Sequence, residues 1–215
     1  MAAGKSAVGA QVARRLGYRF VDTGVMYRAV TWLALERGVD LEDEAALGRL
    51  ARDASLTLEP GPAGATEAAR IVVDGVDVTD QLRNTEVGAA VSIVSRVRAV
   101  REAMVAQQRA LAGEGRIVMV GRDIGTVVLP DAPLKVYLDA SPGERARRRV
   151  DELRAKGQAV SPDDVGSELA QRDTIDSSRD VSPLRPAADA VVIDTGGLSL
   201  EQVVERILEL ARCRS

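Results

Sequence analysis

Apolar residues along the chain alternate between the spacing of helices and that of short buried strands. Near the N-terminus, apolar positions four residues apart predict a helix over 7–16, and Gly17 provides its stop signal. The segment 18–22 is typical of a short strand, and a second helical pattern then runs through Leu33. Helix and strand thus alternate from the start of the chain.

The rest of the chain continues this alternation with one change of character. A helix is predicted at 43–54, whereas 55–83 contains short apolar segments around a Gly/Pro-rich break and predicts a small β insertion. Residues 86–112 follow one long helical pattern. Three apolar segments with polar residues at their carboxyl ends are typical of buried parallel strands: 117–120, 134–138 and 190–194.

Serine residues mark the starts of the later helices. Ser141 and Ser161 each precede a proline, and Ser199 is followed three residues later by Gln202, which is the pattern of a capping box. Strands that alternate with helices in this order predict an α/β protein with a doubly wound parallel sheet.

The composition excludes several kinds of catalysis. The 215 residues include no histidine and one cysteine, Cys213, so histidine acid–base chemistry, Ser-His-Asp triads, structural zinc clusters and intramolecular disulfides are ruled out. With 46% apolar residues, the chain can bury the core of one domain, with or without an insertion. Catalysis would use carboxylates, Lys, Arg, hydroxyls or a metal.

Positive and negative charges nearly balance. The 29 Lys and Arg residues stand against 32 Asp and Glu, so the net charge of −3 provides no general cationic field for nucleic acid or anionic membranes. The sequence has no run of 18 apolar residues and no secretory leader pattern. We therefore expect a cytoplasmic protein with no nucleic-acid or membrane partner.

The segment Gly4-Lys5-Ser6 opens the first predicted helix and matches the second half of a phosphate-binding loop. In such loops, backbone N–H groups at the helix N-terminus hold phosphate oxygens, Lys adds charge and Ser ligates Mg²⁺. The same tripeptide also occurs at ordinary helix starts, so it carries weight only together with other segments.

Two further segments place an arginine near a carboxylate at the carboxyl end of a predicted strand, where open α/β sheets bind ligands. They are Asp22-Thr23-Gly24-Val25-Met26-Tyr27-Arg28 and Gly121-Arg122-Asp123-Ile124-Gly125-Thr126. A fourth segment, residues 172–179, reads Arg-Asp-Thr-Ile-Asp-Ser-Ser-Arg. Alone, either of the first two segments could be a capped turn with a structural role, and a run such as 172–179 is typical of a solvated helix face.

In this order, and with Asp-Gly-Val-Asp-Val-Thr at 74–79 and Pro-Ala-Ala-Asp-Ala at 186–190, these segments resemble the bacterial cytidylate kinase family over essentially the whole chain. Members of that family transfer the γ-phosphoryl group of ATP to CMP or dCMP. The resemblance implies the fold of the P-loop nucleoside monophosphate kinases. It also implies three regions: a core of 1–54 and 86–215, an acceptor-binding insertion at 55–85, and within the core a helical lid at about 145–185.

The resemblance implies roles on the donor side. The loop that binds ATP would comprise Ala3, Gly4, Lys5, Ser6 and Ala7, with Ser6 as a ligand of the Mg²⁺ that accompanies ATP. The catalytic residues would be Lys5, Arg122, Arg145 and Arg148, which stabilise charge under a closed lid that excludes water.

The resemblance also implies roles on the acceptor side. The acceptor phosphate would be held by Arg28, Arg122 and Arg179. The cytosine and its phosphate side would be surrounded by Thr23, Ser92, Arg101 and Asp123, with Asp22 also on the substrate side, and the ribose hydroxyls would meet Arg172 and Asp176. An Arg with an Asp offers the donors and acceptors that the cytosine edge requires, whereas uracil presents a reversed edge.

Three features depart from the family pattern. Family members have a central strand and a complete phosphate loop before Gly-Lys-Ser, whereas Met1 here lies inside that loop, so we expect the natural polypeptide to begin upstream. Val120 stands where an acid usually precedes Gly-Arg-Asp, which affects the expected charge balance around Arg122. Ala7 stands where a hydroxyl residue is common, although Ser6 is present.

Other functions are compatible with parts of the sequence. A kinase for UMP, AMP or shikimate would share the phosphate loop, and a protein that binds CMP without catalysis would fit an incomplete loop. The arginine cluster at 145–149 suggests a nucleic-acid-binding module, but the acidic total and the lack of aromatic residues nearby argue against it. For the kinase we expect a monomer.

Overall fold

The structure, a computed structural model, describes residues 3–59, 70–155, 157–178 and 184–213, without the side chains of Arg172 and Asp176. The helices are α1 (Lys5–Leu16), α2 (Thr23–Glu36), α3 (Glu44–Asp53), α4 (Thr85–Val94), α5 (Arg98–Gly113), α6 (Pro142–Ala155), α7 (Pro162–Ser177) and α8 (Leu200–Arg212). The strands are β1 (Arg19–Asp22), β2 (Leu56–Glu59), β3 (Arg70–Val73), β4 (Val76–Asp77), β5 (Ile117–Val120), β6 (Val136–Asp139) and β7 (Val191–Asp194). A 3₁₀ turn covers Gln81–Arg83 and a π-helical turn covers Ile124–Val128.

The strands form two parallel pairs and one antiparallel sheet within the described residues. β1 pairs with β5, with Asp22 opposite Val120, and β6 pairs with β7, with Asp139 opposite Asp194. β2, β3 and β4 form the antiparallel sheet, in the segment where the sequence predicted a β insertion. The predicted α/β class with parallel strands is confirmed.

Two hydrophobic cores cover the strands. α1 and α8 pack together through residues such as Val8, Val12 and Val204, and this cluster also includes Val118 of β5 and Leu138 of β6. A larger core joins α2, α3, α4 and α5 and contains Ile71 and Val73 of β3. The β insertion therefore shares its core with the helices around it.

The sequence predicted one helix over 86–112, and this prediction was wrong. α4 ends at Val94 and α5 begins at Arg98, because Val97 between them is buried in an extended conformation with φ −64° and ψ 121°. Nη1 of Arg101 in α5 donates to the carbonyl oxygen of Ser95 over 3.1 Å and so satisfies a backbone acceptor exposed by the break. The turn brings Arg101 back over the end of α4.

The ends of other helices follow their predicted signals. Gly17 ends α1 with φ 66°, the left-handed conformation that favours glycine at this position. Ser199 and Gln202 form the predicted capping box of α8. Within the described ranges, no helix has both the length and the apolar character needed to cross a bilayer.

Candidate active site

The N-terminus of α1 is the first part of the site. Gly4 precedes the helix with φ 78°, and no side chain caps the helix at this end. Lys5 follows at once, and burial lowers its pKa, with a further lowering by the positive charge of Arg122. Backbone N–H groups and a crowded lysine at a helix start are suited to bind phosphate oxygens.

Asp22 links this helix start to the end of β1. One carboxylate oxygen of Asp22 accepts a hydrogen bond from Ser6 Oγ, and the other accepts from the Gly24 N–H over 2.9 Å, which caps α2. Mg²⁺ prefers hard oxygen ligands such as this hydroxyl and this carboxylate. It usually takes one or two ligands from the protein and the others from substrate phosphates and water. The described residues hold no cluster of three or more His, Cys, Asp or Glu side chains, so a fuller protein cage for a metal is not seen among them.

The pairing of β1 with β5 brings two of the motif segments side by side. Thr23, which is 3% exposed, donates from Oγ1 to the Val120 carbonyl oxygen over 3.0 Å. Gly121 comes next, and a Cβ there would overlap with Thr23 Oγ1 and lie 2.7 Å from Ile124 Cδ1. A glycine is needed at this point for the two strand ends to approach.

The side chain of Val120 packs against α1. A Cβ added to Gly9 of α1 would lie 2.6 Å from Val120 Cγ1 and 2.9 Å from Phe20 Cε2. The Val120 side chain therefore contacts α1 beside Phe20. An apolar residue suits this contact.

Cations converge on the strand ends from three helices. Burial lowers the pKa of Arg28 in α2, and the charges of Arg149 and Arg122 lower it further. Lys5 is likewise influenced by Arg122 and by Arg145 of α6. Like charges held this close in a partly buried place favour the binding of an anion.

Arg145 is also fixed by a partner on the neighbouring helix α7. Its Nη1 pairs with Asp173 of α7, and the two side chains are 18% and 21% exposed. The Nε atom of Arg145 is buried without a hydrogen-bond partner in the described part of the chain. This arginine therefore has a donor that is unused among the described residues, and its positive charge contributes to the lowered pKa of Lys5.

Arg101 and Asp123 form a separate, more deeply buried pair. Arg101 Nη2 and Asp123 Oδ2 are 2.5 Å apart, and the guanidinium lies 5.3 Å from the centre of the Tyr27 ring. The Nε atom of Arg101 is buried without a hydrogen-bond partner among the described residues. Ser92, predicted beside them, is half-buried on α4, and its carbonyl oxygen accepts from Ser95 Oγ over 3.5 Å.

Not every predicted residue is brought to this cluster. Arg148 instead donates to the hydroxyl and carbonyl oxygens of Thr195 at the end of β7. Ala3 is buried just before α1, and Ala7 is exposed on it. The predictions for the Arg172 and Asp176 side chains and for Arg179 lie outside the described residues.

Three contacts at or near these side chains were not predicted from the sequence: the Tyr27 ring with Arg101, the Ser95 carbonyl oxygen with Arg101, and Thr195 with Arg148. Tyr27 lies inside the motif that ends at Arg28, yet nothing in the pattern indicated that the guanidinium of Arg101 would lie over its ring. Ser95 acts through its carbonyl oxygen, for which residue type gives no signal. Thr195 follows the last predicted strand directly, and its place at a strand's carboxyl end was the available signal.

Comparisons with known proteins agree with this geometry. The family model described as Cytidylate kinase matches residues 1–213. The chain is 52% identical over 213 residues to the cytidylate kinase of Geobacillus kaustophilus, covering 99% of this chain and 93% of that relative. It is 49% identical over 206 residues to the cytidylate kinase of Pelotomaculum thermopropionicum, covering 96% and 90%. It is also 50% identical over 210 residues to a bifunctional pantoate ligase/cytidylate kinase of Synechococcus sp., covering 98% of this chain and 39% of that protein. The resemblance seen in the sequence is confirmed, and the chain belongs to the cytidylate kinase family.

Proposed function

We propose that this chain transfers the γ-phosphoryl group of ATP to CMP or dCMP, giving ADP and CDP or dCDP. The observation that carries the proposal is the convergence of Lys5, Arg28, Arg122 and Arg145 near the carboxyl ends of β1 and β5. Clustered cations at a helix N-terminus bind phosphoryl oxygens and stabilise the charge spread over them in the transition state. Membership of the cytidylate kinase family supports the same reaction.

On the donor side, Lys5 and the backbone N–H groups from Ala3 to Ala7 bind the phosphates of ATP. Ser6 and Asp22 are suited to hold Mg²⁺, which when bound neutralises phosphate charge. An arriving phosphate favours the charged form of Lys5, which burial and Arg122 disfavour in the free protein.

On the acceptor side, Arg28 and Arg122 hold the phosphate of CMP, and Arg145 adds charge from α6. The nucleophile is an oxygen of that phosphate, which is mostly dianionic at neutral pH because its second pKa is about 6. The reaction therefore needs no protein base, in keeping with a chain that has no histidine. Orientation and charge stabilisation supply the rate enhancement.

Arg101 and Asp123 are suited to read the base. Cytosine presents an exocyclic amine as donor and two acceptors along the same edge, so it requires a carboxylate and a cationic donor together. The Asp123 carboxylate has lone pairs beyond the one used by Arg101, and the buried Nε of Arg101 is a free donor in the described part of the chain. Uracil would set a carbonyl oxygen against the carboxylate, which is repulsive.

The remaining proposed contacts come from the region of the lid. Arg172 and Asp176 would meet the ribose hydroxyls, and Arg179 would join Arg28 and Arg122 at the acceptor phosphate. The lid at about 145–185 would close over the donor phosphates and exclude water, while the insertion at 55–85 would border the acceptor.

We also infer a monomer that works on free nucleotides in the cytoplasm, where ATP and CMP are available. The proposed substrates are small molecules, and the net charge of −3 offers no general cationic field. The proposal therefore includes no nucleic-acid or membrane partner.

The direct test is ADP release with MgATP and a panel of acceptors: CMP, dCMP, UMP, AMP and shikimate. We expect turnover with CMP and dCMP well above that with the others. Arg122→Ala should lower kcat/KM for CMP by about 10²–10³-fold, the typical loss for one preorganised donor. Arg116→Ala is the matched control, because Arg116 lies at the opposite end of β5 against the Tyr18 ring. Preference for another acceptor would overturn the proposal, and CMP binding without ADP release would favour a non-catalytic binding protein.

A further inference from the structure

The arginines of α6 have different partners. Arg145 pairs with Asp173 of α7, Arg149 pairs with Glu152, and Arg147 pairs with Glu144 and Asp151 on an exposed face. Arg148 differs, because it reaches a residue outside the two lid helices α6 and α7.

Arg148 uses all three of its guanidinium nitrogens. Nη1 donates to Thr195 Oγ1 over 2.9 Å, Nη2 donates to the Thr195 carbonyl oxygen over 2.6 Å, and Nε donates to Glu144 Oε1 over 2.7 Å. A planar guanidinium that donates to two acceptor atoms of one residue, here called the fork of Arg148, fixes both the distance and the orientation of the arginine relative to that residue. A lysine could not reproduce this geometry.

Thr195 is itself locked to the strands. It is 1% exposed, its Oγ1 donates to the Asp139 carbonyl oxygen over 2.9 Å, and its backbone N–H donates to the same oxygen over 2.8 Å. Because the hydroxyl hydrogen is used toward Asp139, the Oγ1 lone pair is available to accept from Arg148. Arg148 is thus joined through Thr195 to the ends of both β6 and β7.

The buried apolar side chains that the structure describes in α6 and α7 lie apart from the two main cores. Val150 of α6 packs with Val165 and Leu169 of α7 in a small cluster that is separate from the two main cores. A helix pair with its own small cluster depends on polar contacts for its orientation relative to the strands. The fork of Arg148 provides such a contact one turn away from Arg145.

We propose that Arg148 is a positioning residue, which fixes the first half of α6 to the ends of β6 and β7 and thereby holds Arg145 beside Lys5. This inference rests on the proposed phosphoryl transfer, since Arg145 serves that reaction. It gives Arg148 a role through Arg145, in place of the direct contact with donor phosphates that the family resemblance implied.

A double-mutant cycle tests this role. Arg148→Lys keeps the positive charge but loses the two parallel hydrogen bonds to Thr195. Because a misplacement of about 1 Å can cost about 10²-fold in rate, we expect kcat to fall by about 10- to 100-fold. The KM for CMP should change by less than about twofold. In an Arg145→Ala background, the same Arg148→Lys change should lower kcat by less than about threefold, because the group that it positions is gone. Equal losses in both backgrounds would overturn the inference, since Arg148 would then act on its own.

Variants of Thr195 and Arg147 provide the controls. Thr195→Ser keeps the hydroxyl and should retain kcat within about threefold, whereas Thr195→Val removes it and should resemble Arg148→Lys. Arg147→Ala should leave kcat unchanged, because Arg147 is 61% exposed and pairs only within α6 among the bonds described for it. A kcat for Thr195→Val equal to that of the wild type would contradict the inference.

Hydrogen exchange in α6 separates this inference from the proposed function. Amides in the first half of α6 should exchange at least about tenfold faster in Arg148→Lys than in the wild type, and Arg147→Ala should not change them. This readout needs no turnover, so it stands even if the wild type fails to phosphorylate CMP. Unchanged exchange in Arg148→Lys would overturn the anchoring role whatever the acceptor is, and thermal melts of each variant verify that it is folded.

Discussion

Arg101 Nη2 and Asp123 Oδ2 lie 2.5 Å apart in a pair whose side chains are only 4% and 5% exposed. The pair connects α5 to the segment after β5, and the Tyr27 ring of α2 covers the guanidinium. Two opposite charges in such a place are stable only together, because either one alone would be a buried charge without its partner. The pair therefore matters to the fold as well as to the proposed recognition of the base.

Asp123→Asn should reduce both stability and CMP turnover. The substitution keeps the shape of the side chain but leaves the charge of Arg101 buried, which typically costs about 3–5 kcal/mol. Urea denaturation measures this loss, and steady-state kinetics measure turnover. Glu42→Gln is the control, because its pair with Arg96 spans 3.4 Å with side chains 72% and 50% exposed and should change stability by less than about 1 kcal/mol. Equal effects of the two substitutions would contradict the importance of burial.

Gly121→Ala should lower stability by about 1–3 kcal/mol, because the new Cβ would collide with Thr23 and Ile124. Turnover should fall as well, since Arg122 and Asp123 follow directly. Gly113→Ala at the end of α5 is the matched control, as its Cβ would meet nothing within 4 Å. That change should be neutral or slightly stabilising. A Gly121→Ala protein as stable as Gly113→Ala would mean that the strand ends can separate without cost.

Lys5→Met should make the free protein more stable at neutral pH while it abolishes most of the activity. Burial and Arg122 lower the pKa of Lys5 in the folded state, so the unfolded chain binds the proton more readily. Stability of the wild type therefore rises with pH between that lowered pKa and the ordinary value of 10.5, and the advantage of Lys5→Met shrinks over this interval.

Thermal melts from neutral pH to pH 10.5 check this expectation. Lys135→Met is the control, because Lys135 Nζ binds both carboxylate oxygens of Asp189 at 2.9 and 2.7 Å and its removal should destabilise the protein. A lower melting temperature for Lys5→Met at neutral pH would show that the site tolerates the lysine charge at no cost.

Features with local causes could be predicted from the sequence. The capping box of α8 depends on Ser199 and Gln202 alone, and the glycine end of α1 depends on Gly17, so both were correct. The β segment after residue 55 and the parallel strands also followed from short-range patterns of apolar residues. The segments around Lys5, Arg28 and Arg122, which we propose to bind phosphate, were singled out because each places its charged side chain near the end of a strand or the start of a helix.

Features with distant causes could not be predicted in the same way. The break at Ser95–Val97 contains neither glycine nor proline. It depends on the burial of Val97 and on the hydrogen bond from Arg101 to the carbonyl oxygen of Ser95, six residues earlier. The contact of Val120 with α1 requires the pairing of β1 with β5. Likewise, Arg148 and Arg145 look equivalent in sequence, and their partners are distinguished by the positions of Thr195 at the end of β7 and of Asp173 on α7.

Binding of CMP at the cluster around Arg122 and Asp123 can be measured by a thermal melt of the wild type with CMP, UMP or AMP. A ligand at about 100 times its Kd stabilises the folded state by about 2.7 kcal/mol. For a domain of this size that corresponds to a rise of several degrees. We predict such a rise in Tm with CMP, a much smaller one with UMP or AMP, and loss of the CMP effect in Arg122→Ala. A Tm that does not change with CMP, or that rises equally in Arg122→Ala, would mean that this cluster is not the CMP site.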